Sequence, residues 1–161
     1  MKKQYLILFG LIVVLNSGCY TYKVFPKEFR KIENKEIQLK AYVVNNILEE
    51  ELKILKSSEI FEIVEDSLNI DLMIKLYQIK KMETSYNRKS AAISLLTLYQ
   101  IPYYNYHVYK FKFDEIKNNR ITKKEFELNV ATRVWFWDMF TYKGYSREMG
   151  KSLLGKYKII E

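Results

Sequence analysis

Very little in this chain can cross-link, bend sharply or bind a metal. Its 161 residues include one cysteine, one histidine, two prolines and five glycines. A single thiol excludes an internal disulfide and a thiolate metal centre built by this chain alone. A lone histidine, His107, excludes the paired-imidazole spacing of zinc sites, and among strand aromatics it reads as structural. So few glycines and prolines leave no long flexible linker and no low-complexity tract. There is no internal repeat, no glycine-rich phosphate loop and no Gly-x-Ser-x-Gly nucleophile turn. No cofactor, metal site or catalytic residue is expected, and the chain reads as a non-enzyme.

What is present begins with the position of that one cysteine. Lys2 and Lys3 precede an apolar run over residues 5–15, YLILFGLIVVL. The run has the length of a secretion-signal core and is short for a membrane-spanning helix. Asn16, Ser17 and Gly18 break it, and Cys19 follows. Small residues let the backbone enter a peptidase as an extended strand.

Ser17-Gly18-Cys19 resembles the end of a bacterial lipoprotein signal. The aliphatic Leu15 stands four residues before the cysteine, with Asn16 in the usual aliphatic place, so the pattern is similar to the relaxed spirochaetal type. The resemblance implies a signal peptide over residues 1–18, cleavage after Gly18 and acylation of Cys19. It implies a lipid-anchored protein of the bacterial cell envelope. Tyr20 follows Cys19 where an aspartate would mark retention at the inner membrane, which favours the outer membrane. Two or three acyl chains, at about 0.8 kcal/mol per buried methylene, hold a protein on a bilayer stably.

Cleavage would remove two lysines and no acid, lowering the net charge from +8 to +6. A positive surface beside a lipid anchor is drawn to anionic headgroups. The basic residues are interleaved with acids, as on a solvated face, and nucleic acid is not an expected partner.

Residues 19–36, charged and carrying Pro26, read as the lipidated N-terminus and a tether. Residues 37–161 read as one α+β domain: a mostly antiparallel sheet of about five strands with one or two helices on one face. Residues 37–43 alternate, with Ile37, Leu39, Ala41 and Val43 on one side. Asn46 and Glu49 have the spacing of a capping box, and Leu48, Leu52 and Leu55 continue an amphipathic helix ending near Ser57-Ser58. The consecutive Glu49, Glu50 and Glu51 read as a solvated first turn. Residues 61–64 form a short strand. Ile70, Leu72, Ile74 and Leu76 give the clearest alternation in the chain, followed by a polar break. Residues 91–98, AAISLLTL, are apolar on both faces, and periodicity does not decide between buried helix and buried strand. Residues 104–113 and 124–132 read as an antiparallel hairpin, with Asn118-Asn119 suited to positive φ in the turn. The tail after residue 145 reads as a helix.

A second resemblance rests on Ser94-Leu95-Leu96-Thr97-Leu98, Ile101-Pro102, an aromatic hairpin and Trp135. It is similar to small bacterial envelope lipoproteins in which a Thr-Leu-Gly-like turn precedes two strands and a tryptophan. Here Tyr99 stands in place of the glycine. It implies no chemistry.

The aromatic residues supply the remaining candidates. Tyr103-Tyr104 and Trp135-Phe136-Trp137 are adjacent and cannot all face a core. As a strand end, Trp135 and Trp137 would share a face, a candidate surface for membrane or an envelope protein partner. The leading expectation is thus a membrane-tethered binding or assembly module. An envelope hydrolase with an unmarked site and a surface-exposed adhesin-like lipoprotein are the alternatives.

Overall fold

A computed structural model describes residues 20–33, 38–140 and 144–160. Its elements are β1 (Tyr20–Val24), a 3-10 turn (Lys27–Lys31), β2 (Leu39–Val43), helix α1 (Glu49–Ser58), β3 (Phe61–Val64), β4 (Leu72–Tyr86), helix α2 (Arg88–Leu96), β5 (Tyr103–Lys117), β6 (Arg120–Val134), a second 3-10 turn (Phe136–Phe140) and helix α3 (Tyr145–Ile160). The fold is α+β, with a six-stranded sheet in the order β1-β6-β5-β4-β2-β3.

The sheet is mixed, which corrects the mostly antiparallel expectation. β2 runs parallel to both β3 and β4, whereas β4, β5, β6 and β1 are antiparallel neighbours. The reason is the crossover: α1 carries the chain from the end of β2 back to the start of β3, and a helical return makes the strands parallel.

Within the stretch expected to be a tether, residues 20–24 form a strand of the sheet and residues 27–31 a 3-10 turn. β1 pairs with β6 from Tyr20↔Val134 to Val24↔Val130. Val24 is fully buried, and its amide donates to the buried Glu148 carboxylate of α3 at 2.8 Å. Phe29 of the 3-10 turn is buried against Gly155. Dense charge and Pro26 hid a segment that tertiary partners hold.

The core lies between one sheet face and two helices. Ala41, Ile74, Leu76, Phe111, Phe113, Phe126, Leu128 and Val130 meet Ile54 and Leu55 of α1 and Met149, Leu153 and Leu154 of α3. The expected faces of β4, β5 and β6 are those observed. Phe113 stacks on Phe126 across the hairpin, with ring centroids 5.8 Å apart. Asn118 and Asn119 both have positive φ, at 50° and 59°, and alone make the β5–β6 turn. The polar connection expected around them is strand, up to Lys117 and from Arg120.

Two local readings change at α1. The helix starts at Glu49, with Leu48 in the cap position and no side-chain cap, so Asn46 is not a capping residue. Glu51 is not solvated: it is buried and accepts the Ile79 amide at 2.8 Å. That bond falls at the irregularity between Tyr77 and Lys80, where β4 leaves regular register with β5. The carboxylate thus satisfies an amide that the bulge frees.

β4 does not break after residue 77 but runs to Tyr86, paired with β5 although exposed from Lys80 onward. Exposure on both faces erases the alternation that marks a strand in sequence. Residues 91–98 belong to α2 and the turn after it. They form a helix, but not a buried one, since only Ser94 of α2 is buried.

Candidate membrane-contact surface

Gly18 and Cys19 lie outside the described residues. The first described residue, Tyr20, is one peptide bond from Cys19 and already belongs to β1. Its register places it in one row with Val134 of β6 and Tyr103 of β5. The chain next to the cysteine therefore starts at the sheet end that carries Tyr103, Tyr104, Trp135, Phe136 and Trp137. The β5–β6 turn is at the opposite end.

Tyr103 and Tyr104 point to opposite faces, as neighbours on a strand must. Tyr103 meets Tyr86 edge to face, while Tyr104 stacks on Tyr106. The two tryptophans do not share a strand face, which corrects that expectation. β6 stops at Val134, because the Phe136 amide turns to donate to the Tyr99 carbonyl at 2.9 Å. Trp135 is half-buried; its indole N–H donates to the Gln100 carbonyl at 3.1 Å and the Arg133 guanidinium lies 4.7 Å over its ring. Arg133 also forms a two-pronged ion pair with the buried Asp138 (Nε to Oδ2, 2.9 Å). Trp135 is thus a clamp on the turn. Trp137 is 49% exposed and lies edge-on to Phe136.

The feature that the sequence reading missed is the outside of α2 and the turn that follows. Asn87 caps α2 by accepting the Ser90 amide at 3.1 Å. Thr97 closes it, its hydroxyl donating to the carbonyls of Ile93 and Ser94. Leu98 and Tyr99 then adopt left-handed backbone, φ 49° and 60°. That is the conformation a glycine would favour, and here Leu98 and Tyr99 adopt it at a cost on the order of 1 kcal/mol each. The buried Ser94 hydroxyl donates to the Ile101 carbonyl at 2.6 Å. Polar groups are spent inward, and apolar side chains face out. Ile93, Leu95, Leu96, Leu98 and Ile101 are 49–84% exposed, Leu96 the most. Fully burying such a side chain is worth roughly 1.5–3 kcal/mol, so the fold leaves a sizeable gain unused here.

The charge of the segment that carries this tip is one-sided. No acid occurs between Glu83 and Asp114. Arg88 and Lys89 occupy the first turn of α2, which holds no acid. The positive end of the helix dipole disfavours cations there, so these two charges do not serve the helix.

Concave surfaces lie elsewhere. One of about 490 Å³ on the outer sheet face is lined by Tyr77, Lys80, Lys110, Asp114, Lys123 and Glu125 among others, and Glu125 pairs there with Lys110 and Lys112. Another of about 480 Å³ lies by Arg30, Glu59, Arg147 and Lys151. Among the described residues no group of three metal-ligating side chains converges, and no helix is long and apolar enough to cross a membrane.

His107 lies between two threonines, with Nδ1 3.1 Å from the Thr84 hydroxyl and Nε2 3.1 Å from that of Thr132. Burial, and then the charge of Lys81, push its pKa below the usual histidine value. Between the lowered folded pKa and the unfolded value near 6.5, the unfolded chain binds more protons. Stability from this group is therefore present above about pH 6.5 and falls as pH drops through that window. Urea unfolding at pH 8 and pH 5.5 should show His107→Gln narrowing the pH-dependent loss. An identical loss in both proteins would reject this role.

No protein-family model matches the chain, and no curated protein resembles it significantly.

Proposed function

We propose that the chain is a lipid-anchored, non-enzymatic binding or assembly module of the bacterial cell envelope, cleaved after Gly18 and held by acyl chains on Cys19, on the outer membrane rather than the inner. The observation that carries this reading is the start of β1 at Tyr20, in the row of Val134 and Tyr103. An acylated Cys19 would sit against the aromatic end of the sheet and beside the apolar tip of α2. A lipid anchor and an unburied apolar surface on one end of a domain share one natural neighbour, the bilayer.

The test is metabolic labelling with a fatty acid in a bacterial host. The wild-type chain should appear as a labelled, shortened, membrane-bound protein. Cys19→Ser should abolish the label and leave an unprocessed or soluble protein. Label that still enters Cys19→Ser would overturn the reading.

A further inference from the structure

We propose that α2 and the turn at residues 97–101 enter the membrane that holds the chain, with Leu95, Leu96 and Leu98 in the upper acyl layer and Arg88 and Lys89 on lipid phosphates. This deepens the lipid-anchor reading and rests on it for the identity of the membrane.

Three observations select a lipid surface. The tip is apolar outside and hydrogen-bonded inside: Ser94, Thr97, Tyr99 and Gln100 all spend backbone or hydroxyl groups within the tip or on Trp135 and Phe136. Backbone entering hydrocarbon needs that internal satisfaction. Tyr20, the residue after Cys19, is paired at this end of the sheet, so an acylated Cys19 would lie close to it. The stretch from residue 84 to 113, which carries no acid, includes Arg88 and Lys89 at the start of α2, where an anionic headgroup layer compensates their position in the first turn. Trp137 and Tyr103 complete a border of the kind found at membrane interfaces.

The experiment uses the full chain, purified with its lipid and reconstituted into vesicles of phosphatidylethanolamine and phosphatidylglycerol. An acylated Cys19 offers no thiol and the chain has no other, so a single introduced cysteine is labelled uniquely. Leu96→Cys reports the tip, and Ile121→Cys, also exposed, reports the β5–β6 end. Each carries an environment-sensitive nitrobenzoxadiazole dye. The label at 96 should shift to the blue and be quenched several-fold more than that at 121 by nitroxides on the lipid chains. Arg88→Glu with Lys89→Glu should reduce that quenching.

A label at 96 that stays aqueous, in protein that floats with the vesicles, overturns the insertion and leaves the anchor standing. A blue shift at 96 that ignores lipid nitroxide and follows protein density overturns it in favour of a second copy covering the tip. Protein that carries no acyl chain and does not float refutes the anchor instead. In that soluble protein Cys19→Ser leaves the introduced cysteine as the one thiol, and added vesicles still decide the tip, by a quenched blue shift at 96 or its absence.

Discussion

Gly150→Ala is expected to lower the melting temperature by roughly 10 °C, a loss of about 3 kcal/mol in a domain of this size. Gly150 lies on α3 where it crosses the end of α1. A methyl group there would stand 2.5 Å from the Ser57 carbonyl carbon, 2.6 Å from its oxygen and 2.7 Å from the Ser58 nitrogen. All three are backbone atoms, so no side-chain rotation relieves the clash and the two helices must move apart. They carry Ile54, Leu55, Met149 and Leu153, all without solvent exposure, and separation opens the core between them. Gly144→Ala is the control, since nothing lies within 4 Å of its added methyl. Thermal unfolding by circular dichroism compares the two. Equal melting temperatures would refute the close helix crossing.

Ile74→Asp should be at least as damaging, and Lys75→Asp mild. Ile74 is fully buried where β2, β4 and β5 meet, paired with Val43 and Glu115. A carboxylate there has no cation to meet, and an uncompensated buried charge costs about 3–5 kcal/mol beyond the lost packing. Lys75 is exposed on the outer face, opposite Asp114. Its replacement by aspartate sets two acids across the strands, a loss of about 1 kcal/mol or less. Chemical denaturation midpoints measure the gap. Similar midpoints for the two variants would mean that the faces of β4 are misassigned.

The sequence disclosed whatever is recorded in local periodicity. The alternation of Leu72, Ile74 and Leu76 announces one buried face, and Asn118-Asn119 announces a two-residue turn, because each signal depends only on neighbours along the chain. β1 is different. Its pairing partner is more than a hundred residues away, and its last amide is satisfied by Glu148 on another helix. The second half of β4 is exposed throughout, so nothing in its side-chain pattern marks a strand; pairing with β5 alone defines it. The parallel registry of β2 with β4 is likewise a property of the assembled sheet.

The candidate surface divides along the same line. The crowding of aromatics at residues 103–104 and 135–137 was visible, and the register brings both groups to one end of the sheet. Their geometry was not visible, since Trp135 leaves the strand path through a bond from Phe136 to Tyr99. The apolar run at residues 91–98 suggested burial because apolar residues usually find a core. Here the hydrogen bonds of Ser94 and Thr97 draw the backbone inward and turn Leu95, Leu96 and Leu98 toward the outside.

The direct entry of the chain into β1 also sets a working radius. Many surface proteins hang on long spacers and search a wide volume. With acyl chains on Cys19, this domain has no such spacer, because pairing starts at the next residue. β5 and β6 are 15 residues each, which at about 3.4 Å per residue puts their far turn at most about 50 Å from the Tyr20 end of the sheet. If the chain is anchored there, whatever the outer sheet face or the β5–β6 turn engages would have to come within that distance of the bilayer, and a more distant partner would have to reach toward this protein.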